Sequence, residues 1–235
     1  MKFPTLAVLA ASLVLADGAV AVAQDADVSE IVVTGSRMQD YEPTMTPYVS
    51  LKRRADNLIT TVKVVCDTRD PVQRKAELTA TLKALIKSAA AAGIELGIED
   101  EDIVGKFDAG DLNGLINPDT KPDTSYALVT LKTRVLPTDT LESATGRIES
   151  FIEKTPKTGR TEVLQVGDWN LTLIGPERYR AEFIGLVSAD AKKTAAAFGE
   201  GYTVRIEGLT LPMTWYQSGP LELALYIPYK QTIDR

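Results

Sequence analysis

Residues 56–96, DNLITTVKVVCDTRDPVQRKAELTATLKALIKSAAAAGIEL, decide the fold. Leu58, Thr60, Val62, Val64 and Cys66 alternate with Ile59, Thr61, Lys63 and Val65. A period of two in β-branched residues predicts a strand with one face buried. Asp70 then stands where a helix cap belongs, Pro71 takes the first helical position, and Gln73 has the spacing of a capping box. Leu78, Leu82, Leu85, Ile86 and Ala89 return at helical spacing, and Gly93 supplies the left-handed residue that ends a helix. A strand feeding a long amphipathic helix is architecture, however, and carries no chemistry of its own.

Composition bounds the rest. The chain has 235 residues, 44% hydrophobic and 25% charged, enough for a globular core in one domain or two smaller ones. A net charge of −6 disfavours nucleic acid and anionic membrane surfaces as partners. There is no histidine, so Ser-His-Asp and Cys-His nucleophiles and imidazole metal ligands are excluded together. Neither a metal nor another cofactor is expected.

Residues 1–23 have the pattern of a secretory signal: Lys2, an apolar run over 6–16, and Ala21-Val22-Ala23 as a small-residue cleavage site. Periplasmic export with cleavage after Ala23 is the expectation. Lys2 and Asp17 leave together, so the net charge is unchanged. No later apolar stretch approaches the roughly 20 residues a membrane helix needs. Cys66 is the only cysteine, which precludes an internal disulfide, and its place in the alternation predicts a buried thiol.

Outward from the central stretch, the chain reads as further strands and two further helices. Residues 30–37, EIVVTGSR, resemble the TonB box of outer-membrane receptors. Such receptors need a barrel of about 22 strands, and at roughly 9–11 residues per strand this chain is too short for one. A TonB-type partner is therefore not expected, and 31–34 read as a first strand. Lys52-Arg53-Arg54 reads as a solvated strand edge or a turn. Residues 97–123 are polar and broken. Asp111, Asn113 and Gly114 match part of a calcium loop, but Ala109 and Thr120 stand where its first and last ligands belong, so a turn-rich loop is expected. Residues 126–135 alternate as a strand, and Asp139 with Glu142 predicts the start of a helix carrying Leu141, Ala144, Ile148, Phe151 and Ile152. Residues 161–166 and 169–174 read as strands joined by a hairpin turn at Gly167-Asp168. A long helix is expected from Pro176 to Gly199, its stripe formed by Tyr179, Phe183, Val187, Ala191 and Phe198, before last strands at 202–206 and 221–229. The order predicts an α+β fold, antiparallel sheet with long helices packed on one face. Residues 24–235 form one such domain or two subdomains, about 24–124 and 125–235.

This order resembles the SIMPL-domain family, exported bacterial proteins of largely unassigned role. The resemblance rests on IVVTGS at 31–36, the strand and helix through Gly93-Ile94, the strand at 126–135, the Ala- and Lys-rich helix around 189–193, and the final strand near Tyr229. Arg37, where the family favours glycine, and the acidic segment 97–123 depart from it. The resemblance implies a periplasmic α+β domain that forms homo-oligomers and brings no catalytic residues.

Three classes of function follow, in this order: a periplasmic structural or interaction protein that self-assembles, a small-molecule binding module, and an enzyme of unrecognised type. With no catalytic motif, the first is preferred. Trp169, Trp215 and Tyr216 are the candidate interface or groove residues, since aromatics are enriched at interfaces, although core packing is the commoner fate of tryptophan.

Overall fold

The alternating segment is strand β3 (Asn57–Cys66) in the computed structural model, which describes residues 30–33, 49–100, 103–107, 110, 112 and 114–235. The signal segment, its cleavage site and two of the candidate calcium ligands, Asp111 and Asn113, lie outside these residues. Leu58, Val62, Val64 and Cys66 are completely buried on one face of β3, while Thr61, Lys63 and Val65 on the other are half-buried.

Helix α1 (Pro71–Ala89) follows, extended by a 3-10 turn to Ala92 and closed by Gly93 at φ +68°. Asp70 caps it by accepting from the Gln73 backbone N–H at 2.7 Å. Gln73 does not return the bond expected of a capping box: its side-chain amide donates to Glu77 instead, at 2.8 Å. Leu78, Leu82 and Leu85 are buried against the sheet and Ile86 packs beside them.

The main sheet is antiparallel. Its other strands are β1 (Glu30–Val33), β4 (Ile94–Asp100), β5 (Ile103–Lys106), β6 (Asn117–Pro118), β7 (Ser125–Arg134), β8 (Thr161–Gln165) and β9 (Asn170–Ile174). The segment expected to be irregular thus contributes β5 and β6. Pairing passes from β3 to β7, β4, β5, β1 and β9 and returns to β3, a ring of strands. The segment resembling a TonB box is one link of that ring, with Glu30 to Val33 opposite Ile174 to Leu171.

The hairpin expected at Gly167-Asp168 is absent. Both β8 and β9 pair with β3, at Val62–Cys66 and Asn57–Ile59 respectively, so they are one strand interrupted by a bulge. Val166 and Gly167 both donate to the Thr61 carbonyl, two residues against one. A Cβ at Gly167 would lie 3.0 Å from the Thr61 backbone nitrogen, so any larger residue at the bulge would push β3 back by a few tenths of an ångström.

Helix α2 (Leu141–Lys154) is capped one residue later than expected. Thr140 is the cap and exchanges bonds with Ser143. Asp139 is drawn away by Arg147, whose guanidinium holds both carboxylate oxygens at 2.7 Å, and also accepts from the Leu136 N–H. That pairing keeps its carboxyl well below the usual carboxylate range.

Pro176 opens a 3-10 turn, and helix α3 proper is Arg180–Phe198. Phe183, Val187 and Ala191 are buried, whereas Phe198 leaves the stripe for solvent and the Tyr202 ring. A three-stranded sheet, β2 (Leu51–Arg54), β12 (Glu222–Tyr226) and β11 (Thr214–Gly219), packs here, with a ribbon of β10 (Thr203–Glu207) and β13 (Lys230–Asp234). Strands β11 and β13 were not expected. Pro212 and Gly219-Pro220 make 207–220 read as loop, and the polar Lys230–Asp234 has no apolar alternation. The basic triplet of β2 is on an edge as expected, Arg53 paired with Glu182.

Two buried clusters result. One joins Leu58, Leu171, Leu173, Phe183, Leu223 and Leu225. The other joins Val62, Val64, Leu78, Leu82, Leu131 and Phe151. The half-buried Trp169, in the bulge between β8 and β9, packs against both.

Candidate functional site

Where β3 ends, the chain turns into α1 beside the start of β8, and polar groups gather there. Glu77, on the first turns of α1, is buried and accepts from Thr68 Oγ1 at 2.7 Å, Gln73 Nε2 at 2.8 Å, Cys66 Sγ at 3.2 Å and the Arg160 backbone N–H at 3.1 Å. These donors, Thr68 first, hold its pKa down at about 2. Gly159 passes so close that a Cβ there would fall 2.1 Å from the Glu77 carboxyl carbon, and its φ of +58° itself favours glycine. The carboxylate thus ties the 155–160 loop to the helix. Cys66 is buried inside the same knot.

The sign of the pH dependence follows. A carboxyl with a lowered folded pKa stabilises fully above its ordinary pKa and loses that contribution as pH falls toward the folded value. Thermal melts should therefore lose midpoint between about pH 4.5 and 2. A Glu77→Gln variant should show a visibly shallower loss over that interval, and identical slopes would contradict the role of the knot.

Outside the knot lies a cleft of ≈ 550 Å³ lined by Asp67, Asp119, Lys121, Arg160, Glu162 and Leu164 among others. Two of its carboxylates, Asp67 and Asp119, are already paired with cations. Arg160 grips Asp67 through both oxygens at 2.6 and 2.9 Å, and Lys63 meets Asp119 at 2.6 Å over the Tyr126 ring. Both aspartates are lowered in pKa, each chiefly by the hydrogen bond from that cation. A general acid at neutral pH needs the opposite shift.

The cleft borders the edge of the main sheet. Strand β8 ends the strand order, and among the described residues nothing pairs with its far side. The bond from Val166 N–H to Thr61 sets the phase of the ladder. Hydrogen-bonded and non-bonded pairs alternate along an antiparallel ladder, so Leu164 and Glu162 bond inward to Lys63 and Val65. Val163 and Gln165 then direct their backbone N–H and C=O groups out of the sheet. Beside this edge, Leu164 and Leu128 flank Lys63 in one row, each 45% exposed, and Val166 is 54% exposed.

The aromatic candidates are elsewhere. Trp215 and Tyr216 are consecutive on β11 and therefore face opposite sides. Trp215, across from Leu225, packs on the first cluster, its indole N–H without an acceptor among the described residues. Tyr216 stands edge-on to Tyr226, ring centroids 6.0 Å apart. Trp169 packs on both clusters, and the cleft is lined by none of the three. Sequence reading passed over β8, because TEVLQ alternates like any half-buried strand and its pattern does not say which strand is last in the sheet.

No helix among the described residues is long and apolar enough to cross a membrane. No family model matches the chain, and no curated protein matches it. Among solved structures, a hydrolase from Listeria innocua is 11% identical, with 83% of this chain and 98% of that one covered, at a TM-score of 0.17. An uncharacterized conserved protein from Listeria innocua is 13% identical over the same shares, at 0.18. At such TM-scores the likeness carries no argument.

Proposed function

We propose that this chain is a periplasmic structural or interaction protein, exported with cleavage after Ala23, and that it docks its partner by strand addition at β8. The observation that carries this reading is the unpaired edge, where the backbone groups of exposed Gln165 and of Val163, a residue 6% exposed overall, point away from β3 beside exposed Leu164 and Val166. An unguarded edge is a template for another strand. Lysine and proline, two of the residues that discourage such pairing, are absent from Thr161–Gln165, although Glu162 and the bulge after Gln165 limit the segment that can pair. Asp67 and Asp119 of the adjoining cleft are tied to cations and lowered in pKa, which favours docking over acid–base catalysis by this pair. The pattern of residues 1–23 supports export, as does the resemblance to SIMPL-domain proteins.

In-cell photo-crosslinking tests the reading. A photoreactive residue in place of Glu162 should give discrete adducts in the exported chain, and the same residue in place of exposed Lys193 on α3 should not. Adducts at Glu162 no stronger than at Lys193 would refute docking at this edge.

A further inference from the structure

We propose that the partner at the β8 edge is a second copy of this chain, paired antiparallel about a two-fold axis that passes beside Leu164. The proposal rests on the reading of β8 as a docking edge and names its occupant and register. A two-fold interface brings the same patch of both copies together, so the strand must be complementary to itself. Few registers are available, because only Val163 and Gln165 have outward-directed backbone groups free to pair. Thr161 is spoken for, its N–H donating to the Thr158 carbonyl at 3.2 Å.

With Leu164 opposite Leu164 of the second copy, Val163 and Gln165 form hydrogen-bonded pairs across the junction, each with the other's counterpart. Leu164 becomes the non-bonded pair, where Cα atoms approach to about 4.5 Å and side chains meet most closely. The exposed row Leu128–Lys63–Leu164 then continues into its two-fold counterpart, and the leucine now in water is covered. Charges agree as well. Glu162 falls opposite Val166 rather than another carboxylate, and Arg160 is brought toward the end carrying Asp168. Centring the axis on Val163 instead would set Glu162 against Leu164 twice and cover the apolar row with carboxylates. The Val163 register would also set Thr161, whose N–H is already donated to Thr158, opposite Gln165, so the Leu164 register makes more hydrogen bonds and is favoured. The bulge at Val166–Gly167 follows the last hydrogen-bonded pair, Val163 opposite Gln165, and closes the far end of the junction.

Cysteine placement reads both the occupant and the register. A Leu164→Cys variant of the mature chain should form a disulfide-linked dimer under mild oxidation, because its sulfurs would meet across the non-bonded pair. Glu162→Cys alone should not, whereas a mixture of Glu162→Cys and Val166→Cys chains should yield the mixed dimer. The native Cys66 is buried and serves as the internal blank. In sedimentation, the unmodified chain should reach the mass of two chains at high concentration. A Leu164→Lys variant, altered at an exposed position, should remain a single chain with an unchanged far-UV spectrum. Crosslinking of Glu162→Cys in preference to Leu164→Cys would overturn the register. A single chain at every concentration, without disulfide dimers of Leu164→Cys, would overturn the second copy as occupant. In that case adducts from the photoreactive residue at Glu162, at a mass other than two chains, would leave the docking reading standing, and their absence would remove both.

Discussion

Replacing Phe183 by alanine should destabilise the protein by roughly 3–5 kcal/mol. Phe183 is the largest completely buried side chain among the described residues, at 0% exposure, and sits where α3 meets both sheets. Its ring stands edge-on to Tyr229 at 6.3 Å, and its cluster includes Leu58 from β3, Leu171 and Leu173 from β9, and Leu223 and Leu225 from β12. Truncation would leave a cavity that a close-packed interior only partly fills, because its walls belong to elements held by their own hydrogen-bond ladders. Urea denaturation followed by far-UV circular dichroism checks it. A change below about 1 kcal/mol, within the ordinary range for surface substitutions and small trims, would mean that α3 is loosely applied.

Leu82→Ala in α1 should cost about 2–5 kcal/mol. Leu82 is 1% exposed in the other cluster, between Leu78 and Leu85 on the face that covers β3 and β7. The comparison of the two variants carries more than either alone. Strands β3 and β7 pair along ten residues, from Asn57 opposite Arg134 to Cys66 opposite Ser125, and β3 supplies Leu58 to one cluster and Val62 and Val64 to the other. Shared strands couple their clusters, so both substitutions should move one and the same transition, with an unchanged m value. If Phe183→Ala produced an early step that left the α1 signal intact, residues 125–235 would contain a unit that unfolds by itself.

The elements of the middle of the chain were legible because their signals are local. The alternation of Leu58 to Cys66, the Asp70-Pro71 start, the leucine spacing of α1 and Gly93 each follow from backbone geometry over a few residues, and all are in the structure. The antiparallel sheet with helices on one face followed from them. Local signals misled where two residues competed for one role. Asp139 has the chemistry of a helix cap, yet an arginine eight residues further on offers it a bidentate partner, and Thr140 takes the cap.

What only the tertiary structure decided is pairing. Whether Gly167 turns a hairpin or bulges a strand depends on Thr61, more than a hundred residues away, and no pattern within 161–174 records it. The same holds for Glu77, a surface-type residue on a helical wheel until the 155–160 loop folds over it. It holds most of all for the candidate site. The five residues of β8 read as an ordinary strand by composition, and their functional interest comes solely from being last in the sheet. Edge position is a property of the order of strands in space, set by long-range hydrogen bonds, and a single strand's sequence is nearly blind to it.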